Sequence, residues 1–439
     1  MDRLEDQAIL AKALQECDQA EVIRVYGQST PIVFEANRLK SIEEHEYSEA
    51  GLRVLKDNRF GLSSSTKTSD TIGLIERSLA SAAYGPISSM ELPGQQTYPH
   101  VPVYDCQTPT IALEELIQIG ETLIDQMRRS WSNVQWDCRV SRATSTFHII
   151  NSRGCSANYE HSSFSISIEG SLVRGEDMLF VQEFETDCHP ITDTSFIRSS
   201  LERQLDWAQD LVAAPVGDIP VIFTPMGLAG VMLGPLLEGF NGKAVLQGSS
   251  PLDGKLGQQH FDPRITIWDD PTQPYIPGSR ICDDEGIPSQ RLALVQDGII
   301  RNFLYDLQTA GQAGTQSTGS ASRSPGTLPS PSFSVVVIEP GTTDISDMIK
   351  DQEQALIVDT VLGAGQGNVL GGDFSANVLL GYRVSGGQVI GRVKDTVITG
   401  NAYRALQNIR ALGSDSRWLG GSLRVPTMCT GGITVSSRG

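Results

Sequence analysis

The sequence predicts an α+β fold, with an N-terminal sheet-and-helix domain followed by a strand-rich C-terminal domain of mostly antiparallel β-sheet. Three observations lead to this prediction. Polar and apolar residues alternate in runs after Glu21, helical spacing of apolar residues appears between these runs, and the second half is rich in glycine with hairpin signals. The 439 residues are 39% hydrophobic and 20% charged, which is typical of a globular protein and excludes a natively unfolded one.

The first domain is predicted at 1–213 and contains two sheet-and-helix units. The expected elements, in order, are a helix through residue 14, strands between 21 and 63, a helix from 69 or 70 to about 85, a connector at about 86–109, a helix at about 110–129, strands between 134 and 184, and a helix at about 193–212. Ser69 or Asp70 can cap the second of these helices, because both side chains accept hydrogen bonds from backbone amides. Two such units side by side can form one α+β domain.

The second domain is predicted at 218–439, after a boundary at 213–218 that contains Ala, Pro and Gly. It begins with a strand at 219–223, and a helix follows this strand. Turn sequences at 296–298 and 385–387 predict hairpins. The segment 309–332 consists largely of Gly, Ser, Thr and Pro, and it is either a mobile loop or a segment ordered over a cleft.

Charge and cysteine content exclude several classes of protein. There are 52 acidic and 34 basic residues, so the formal net charge is −18, which argues against a nucleic-acid partner. No segment approaches 18 uninterrupted apolar residues, and the acidic N-terminus lacks the basic start of a signal peptide. Seven cysteines without any CxxC pair favour reduced thiols. We therefore expect a cytoplasmic protein that binds neither membranes nor nucleic acid.

The sequence lacks the usual catalytic motifs. No two of the six histidines have the spacing that places metal ligands on one helix face, and neither a G-x-S-x-G motif nor a P-loop is present. We predict no catalytic residue and no metal ligand. The acidic string Asp283, Asp284, Glu285 and Gly286 is followed by Ile and Pro, and it predicts a stiff, negatively charged turn. Such a turn can accept hydrogen bonds from backbone amides or from an opposing arginine.

Four strings in the second half carry a resemblance to a known family. They are the strings at 282–288, 294–300, 303–306 and 398–401. Together with the N-terminal strands they resemble the TldD/PmbA family, once called modulators of DNA gyrase, over most of the chain from about Ala20 to Val435. The resemblance implies a cytosolic protease in which a TldD subunit and a TldE (PmbA) subunit form a heterodimer around a chamber for unfolded peptides. Only TldD-type subunits carry a zinc helix with a His-Glu-x-x-x-His motif.

The helix expected after residue 223 contains no histidine. Gly234, Pro235 and Gly239 stand at the degenerate zinc-helix positions, so the chain resembles a TldE/PmbA-type subunit. Neither Gly nor Pro can bind zinc through a side chain. The resemblance therefore implies a subunit that is inactive alone and has no cofactor of its own, with zinc expected in a TldD-type partner. Cys429 lies near the place of a third zinc ligand in TldD-type members, and we interpret it as a structural thiol.

The remaining site predictions are structural or concern the substrate. The family shares the acidic string between subunits with and without zinc, so we expect Asp283–Gly286 to shape the fold or the dimer interface. Glycines allow close backbone approach to a ligand, which makes the segment 309–332 and a glycine-rich segment candidates for facing the peptide. The glycines of the second segment are Gly363, Gly365, Gly367, Gly371 and Gly372.

Three functional hypotheses remain open from the sequence. The first is the metal-free subunit of a TldD/TldE-type metalloprotease that degrades or processes unfolded peptides. The second is a homodimeric binding or scaffold protein that has lost peptidase function. The third is an enzyme with an independent site made of Asp or Glu and a single His or Cys. The first predicts a zinc-bearing partner subunit, the second predicts self-association, and the third predicts turnover by the isolated chain.

Overall fold

The computed structural model describes residues 3–67, 69–175 and 177–437, and it confirms the α+β fold. The outermost residues of the predicted ranges 1–213 and 218–439 lie outside this description. In the N-terminal half the elements are α1 (Arg3–Ala13), β1 (Gln19–Glu35), β2 (Arg38–Ile42), β3 (His45–Lys56), β4 (Arg59–Ser65), α2 (Thr71–Ala82), a 3-10 turn (Thr108–Thr110), α3 (Leu113–Ser130), β5 (Gln135–Asn151), β6 (Ser156–Arg174), β7 (Asp177–Asp187) and α4 (Ser195–Trp207).

The strands of the two predicted N-terminal units form one continuous sheet. In the described chain this sheet has seven strands in the order β4-β3-β1-β5-β6-β7, with β2 also paired to β1. All of its pairings are antiparallel. The long strand β1 joins the two units, because it pairs with β3 on one side and with β5 on the other.

The N-terminal helices cover one face of this sheet. Val22 packs in a cluster with α1 and α2, and Ile32 packs in a second cluster with α3 and α4. These two residues are an even number of positions apart on β1, so their side chains share a face. Glu21 and Arg53 occupy positions of the opposite parity on paired strands, and they face the C-terminal half of the chain.

The C-terminal half contains more strands and shorter helices. Its elements are β8 (Gly217–Asp218), β9 (Val221–Phe223), α5 (Pro225–Gly239), α6 (Gly242–Leu246), β10 (Ile267–Asp269), β11 (Leu292–Gln296), β12 (Ile299–Ile300), α7 (Leu307–Ala313), β13 (Ala321–Ser322), β14 (Ser330–Pro331), β15 (Val336–Ile338), α8 (Ile345–Lys350), β16 (Gln354–Leu362), a 3-10 turn (Ala364–Gln366), β17 (Asp373–Ser385), β18 (Gln388–Arg392), β19 (Thr396–Asn401), α9 (Ala402–Ala405), β20 (Ile409–Leu419), β21 (Leu423–Thr430) and β22 (Thr434–Ser437).

Most of these strands form one mixed, mainly antiparallel sheet. Among the described residues it has thirteen strands, with the central order β12-β11-β10-β15-β21-β9-β16-β17-β19-β22-β8 and with β18 and β20 paired at the sides. β9 runs parallel to β16, and β15 runs parallel to β21. The predicted turns at 296–298 and 385–387 connect β11 to β12 and β17 to β18. Asp297, Gly298, Gly386 and Gly387 all have positive φ there, as tight hairpins require.

Buried residues of both halves share one core cluster, in which Leu201 of α4 packs with Tyr382 of β17. The division at 213–218 therefore remains a prediction about chain organisation. The segment 309–332 starts inside α7 and continues through the small β13–β14 hairpin. Within the described chain, no helix is long and apolar enough to cross a bilayer.

Candidate functional site

Helix α5 follows β9 directly and lies in the core of the C-terminal half. The Thr224 hydroxyl caps its N-terminus by accepting a hydrogen bond from the Gly227 amide at 3.3 Å. A Cβ atom on Gly227 would lie 2.2 Å from the carbonyl oxygen of Val358, so the helix packs tightly against β16. Its apolar side chains enter the same core cluster as β9 and β21.

The residues predicted at the degenerate zinc-helix positions differ in how tightly they pack. Pro235 is buried and has no N–H, so the carbonyl of Val231 receives no helical hydrogen bond from it. The Tyr403 hydroxyl donates a hydrogen bond to the Pro235 carbonyl at 2.6 Å. A Cβ atom on Gly239 would lie 2.2 Å from the Tyr403 hydroxyl oxygen. Gly234 lies at the side of the helix, where an added Cβ would contact Val369 at 3.4 Å.

The glycine-rich segment packs beside this helix, and its members differ in exposure. Gly372 has φ +84°, and a Cβ there would lie 2.4 Å from the Tyr403 ring. The Gly371 carbonyl accepts a hydrogen bond from the Asn401 amide group at 2.7 Å. Gly372 therefore packs against Tyr403, as Pro235 and Gly239 do, whereas Gly371 is held by Asn401.

The first three glycines of the segment lie away from Tyr403. Gly363 has φ +85° and begins the 3-10 turn Ala364–Gln366. Gly365 and Gly367 are exposed, and a Cβ on Gly365 would meet nothing within 4 Å. These glycines are the part of the segment that a ligand can reach from solvent.

The acidic turn is buried between the two halves of the chain. Asp283 is fully buried, and its Oδ1 accepts hydrogen bonds from the amides of Glu285 and Ile287 at 2.9 Å each. Its Oδ2 accepts a hydrogen bond from the amide of Ala321 at 3.0 Å. Burial raises the pKa of Asp283, and the neighbouring Glu285 charge raises it further. Gly286 completes the turn with φ +77°.

Glu285 connects this turn to the N-terminal sheet. Its Oε1 accepts a hydrogen bond from Arg53 Nη1 at 2.6 Å, and its Oε2 accepts one from the Leu307 amide at the start of α7. Arg53 also pairs with Glu21 at 3.1 Å, and Glu21 pairs with Arg323. We call Glu21, Arg53, Glu285 and Arg323 the buried ion network, and all four side chains are at most 2% exposed.

The charges within this network stabilise one another. Burial opposes the charged form of Arg53, but the Glu21 and Glu285 carboxylates raise its pKa above the usual value. Burial raises the pKa of Glu285, while Arg53 acts in the opposite direction. Asp284 lies at the rim, where its Oδ2 accepts a hydrogen bond from the Arg323 amide at 2.8 Å. The arrangement holds the two halves together and presents no free nucleophile or base.

Cys429 lies on the opposite side of the central sheet from α5. Its neighbour Met428 packs in the core cluster that contains α5, whereas Cys429 packs in the other cluster with Ile222. Successive side chains of a strand point to opposite faces, so the Cys429 thiol points away from the helix. Burial raises the pKa of this thiol to about 11.

The residues of this region do not fit a zinc ion. In the parts of the chain that the structure describes, no group of three or more His, Cys, Asp or Glu side chains is placed to hold a metal. Gly234, Pro235 and Gly239 supply no side-chain donor, and Cys429 faces away from them.

Sequence reasoning missed Tyr403 and three members of the buried ion network. Glu21, Arg53 and Arg323 lie far from the acidic turn in sequence, so no local pattern connects them. One signal was present at Arg53, which interrupts the apolar run at 50–55. A charged residue in such a run is seldom buried without a charged partner.

Comparison with known proteins identifies the family. The family model described as PmbA/TldA metallopeptidase C-terminal domain matches residues 216–437, which is half of the chain. The chain belongs to the PmbA/TldD family. The model described as PmbA/TldA metallopeptidase domain 1 also matches, over residues 20–83.

Several members of the PmbA/TldD family and related structures are similar to this chain. An uncharacterized protein of Methanocaldococcus jannaschii is 24% identical over 391 residues, which cover 88% of this chain and 89% of the relative. A metalloprotease TldD homolog of Haemophilus influenzae is 31% identical over 207 residues, 47% of this chain and 42% of the relative. The crystal structure of TldE from Thermococcus kodakarensis has the same fold, with a TM-score of 0.90 and 22% identity over 99% of this chain and 100% of that chain.

Proposed function

We propose that this chain is the metal-free subunit of a two-component metalloprotease. In this proposal a TldD-type partner holds the zinc ion, and this chain supplies part of the chamber that admits unfolded peptides. The observation that carries the proposal is the chemistry of α5. The resemblance to TldD-type subunits assigns the zinc ligands to this helix, and here Gly234, Pro235 and Gly239 have no side chain that can bind zinc.

The other predicted site residues divide into two roles in this proposal. Glu285 holds the two halves of the chain together through Arg53, and Asp283 fixes the acidic turn, because its carboxylate accepts hydrogen bonds from the amides of Glu285 and Ala321. The exposed Gly365 and Gly367 face the peptide, since a substrate backbone can approach them closely. Strand edges hold an extended peptide through main-chain hydrogen bonds and tolerate many side chains.

We place this activity in the cytoplasm. All seven cysteines are free thiols, and five of them are buried. Unpaired thiols persist in a reducing compartment, which supports this location.

The test combines zinc content with cleavage of an unstructured peptide. We expect the purified chain to contain no zinc and to cleave nothing alone, and we expect cleavage to appear when a TldD-type subunit is added. Stoichiometric zinc or metal-dependent cleavage by the isolated chain would overturn the proposal. Stable self-association with no effect of the TldD-type subunit would instead support a homodimeric scaffold protein.

A matched pair of variants locates the metal in the mixture. Substituting the histidines of the partner's zinc helix should abolish cleavage. Cys429→Ala in this chain should leave the rate of the mixture unchanged, because Cys429 faces away from α5. A Cys429→Ala mixture that loses both zinc and activity while remaining folded would show that this chain provides a ligand.

A further inference from the structure

The loop that connects β16 to β17 lies against α5 and has a glycine with positive φ at each end. Gly363 has φ +85° and Gly372 has φ +84°. Between them the backbone hydrogen bonds stay within the loop, such as those from the Gln366 amide to the Gly363 carbonyl at 3.1 Å and from the Gly372 amide to the Val369 carbonyl at 3.0 Å. We call residues 363–372 the α5 flap. Hinge residues of moving loops lie at such ends and are often small.

The C-terminal end of the flap is fixed to its surroundings. The Gly372 carbonyl accepts a hydrogen bond from the Ala402 amide at 2.8 Å, and the Gly371 carbonyl accepts one from the Asn401 side chain at 2.7 Å. A Cβ atom on Gly372 would lie 2.4 Å from the Tyr403 ring, so this position requires glycine. The flap is therefore anchored where it rejoins β17.

The body of the flap, residues 364–370, is held more lightly. In the part of the chain that the structure describes, its one hydrogen bond to residues outside 363–373 is the one that the Tyr403 hydroxyl donates to the Leu370 carbonyl at 3.3 Å. The same hydroxyl lies 2.6 Å from the Pro235 carbonyl. A hydroxyl has one hydrogen to donate, so the bond to the flap is the weaker of the two.

Apolar contact supplies the rest of the closure. Val369 and Leu370 are half-buried, whereas the residues at 365–368 are exposed. A Cβ atom on Gly234 would lie 3.4 Å from Val369, so Val369 rests on α5 at a position where the helix has no side chain. Few buried apolar contacts and few hydrogen bonds to the rest of the protein are properties of segments that open locally.

The helix on which the flap rests is apolar on all sides. Glu238 is the single charged residue of α5. Three of its apolar side chains are only half-buried, those of Ala229, Leu233 and Leu237. A helix with this composition is normally covered on all sides. The flap covers α5 at Gly234, so lifting the flap would expose more of the apolar helix.

We propose that the α5 flap is a lid that opens about its glycine ends and uncovers α5 at Gly234 and Pro235. The Tyr403 hydroxyl and Val369 hold the closed state, and the anchored end at Gly372 keeps the lid attached while its body moves. The role of this motion, which is to control the access of a peptide to α5, rests on the proposed function. The motion itself is a property of the isolated chain.

Thiol labelling of the isolated chain measures the opening. Val369→Cys introduces a thiol at the half-buried position, and Asn368→Cys introduces one at an exposed position of the same flap. Peptide mass spectrometry follows the reaction of each thiol with iodoacetamide at pH 8. We expect the Val369→Cys thiol to react about tenfold more slowly than the Asn368→Cys thiol and still to reach completion. Equal rates would show that no closed state exists, and a Val369→Cys thiol that never reacts would show that the lid does not open. Either result would overturn the proposal.

Removing the hydroxyl that holds the flap should speed the reaction. Tyr403→Phe should raise the labelling rate of the Val369→Cys thiol about fivefold. The matched control is Tyr382→Phe, because Tyr382 also donates a buried hydroxyl to a backbone carbonyl but lies in the other core cluster. The buried Cys429 reports global unfolding, and its labelling should not change. The lid would be refuted by an unchanged rate in Tyr403→Phe, by an equal increase in Tyr382→Phe, or by a parallel increase at Cys429.

A reversible disulfide tests whether the lid controls access. The double variant Gly234→Cys with Val369→Cys places two thiols across the contact, where the distance from a Cβ atom on Gly234 to Val369 is 3.4 Å. After oxidation with glutathione disulfide, the mixture with a TldD-type subunit should lose most of its cleavage and regain it on reduction. Each single variant should show no difference between oxidised and reduced samples. Full cleavage by the oxidised double variant would overturn the control of access.

The result can be separated from that of the proposed function. Labelling that is slow and depends on Tyr403 would establish the lid even if the mixture cleaved nothing, and the absence of cleavage would overturn the proposed function alone. Cleavage by the mixture together with labelling that Tyr403→Phe leaves unchanged would remove the lid and leave the proposed function intact.

Discussion

Replacing Arg53 with methionine would test whether the buried ion network stabilises the protein. Arg53 is 3% exposed and donates to Glu285 at 2.6 Å and to Glu21 at 3.2 Å. In the variant Glu21 keeps Arg323, whereas Glu285 keeps only the amide of Leu307. Removing one partner of a buried ion pair costs about 3–5 kcal/mol, because the other charge stays buried. We expect the free energy of unfolding to fall by about this amount at pH 8.

The loss should become smaller at lower pH. Burial already raises the pKa of Glu285, and the loss of the Arg53 charge raises it further above the value of about 4.3 in an unfolded chain. A carboxyl with a raised pKa in the folded state stabilises the protein below its unfolded pKa. It loses this contribution as the pH rises through the folded pKa. The variant should therefore be closer in stability to the parent protein at pH 5 than at pH 8.

Urea unfolding followed by circular dichroism at both pH values measures these differences. The matched control is Arg38→Met, because Arg38 is exposed on β2 of the same sheet and should change stability by no more than about 0.5 kcal/mol. A loss below about 1 kcal/mol for Arg53→Met, or equal losses for both variants, would refute a stabilising role for the network.

Three further outcomes follow from packing and burial. Gly239→Ala should destabilise the protein by about 1–3 kcal/mol in urea unfolding, because its Cβ would lie 2.2 Å from a tyrosine hydroxyl, whereas Gly365→Ala should have little effect since nothing lies within 4 Å. At pH 8 iodoacetamide should modify the exposed Cys106 rapidly and leave the buried Cys429 unmodified, which peptide mass spectrometry can check, and equal rates would contradict the burial. Burial raises the pKa of Asp359 to about 6, so Asp359→Asn should raise stability at pH 7.5 by about 1–3 kcal/mol, and this gain should vanish near pH 3.5. A gain that stays constant with pH would show that the carboxyl titrates normally.

Local patterns predicted the parts of the fold that depend on neighbouring residues. The spacing of Ile72, Ile75 and Leu79 predicted α2, and the turn sequences predicted the hairpins after β11 and β17. The sequence predicted two strands where the structure has the single strand β1, because Pro31 lies in its middle. On one side of β1, pairing with β3 ends at Ser29 and pairing with β2 begins at Ile32, and the missing N–H of Pro31 faces the unpaired gap between them. A proline at such a position removes no ladder hydrogen bond.

The candidate site depended on contacts between distant parts of the chain. The absence of histidine from α5 could be read directly from the sequence. Arg53 and Glu285 are 232 positions apart. Neither the sequence around Arg53 nor the sequence of the acidic turn indicates that these two residues form a pair.

The buried ion network also limits how this chain can be recombined with its relatives. A chimera that joins the first 213 residues of one family member to the rest of another would unite Glu21 and Arg53 with a foreign acidic turn. If that turn or Arg323 were replaced by neutral residues, buried charges of the N-terminal sheet would lose their partners. The four residues must therefore be exchanged as a set, although one pair belongs to each half of the sequence. The charges of these four residues therefore couple the two halves of the protein in any such exchange.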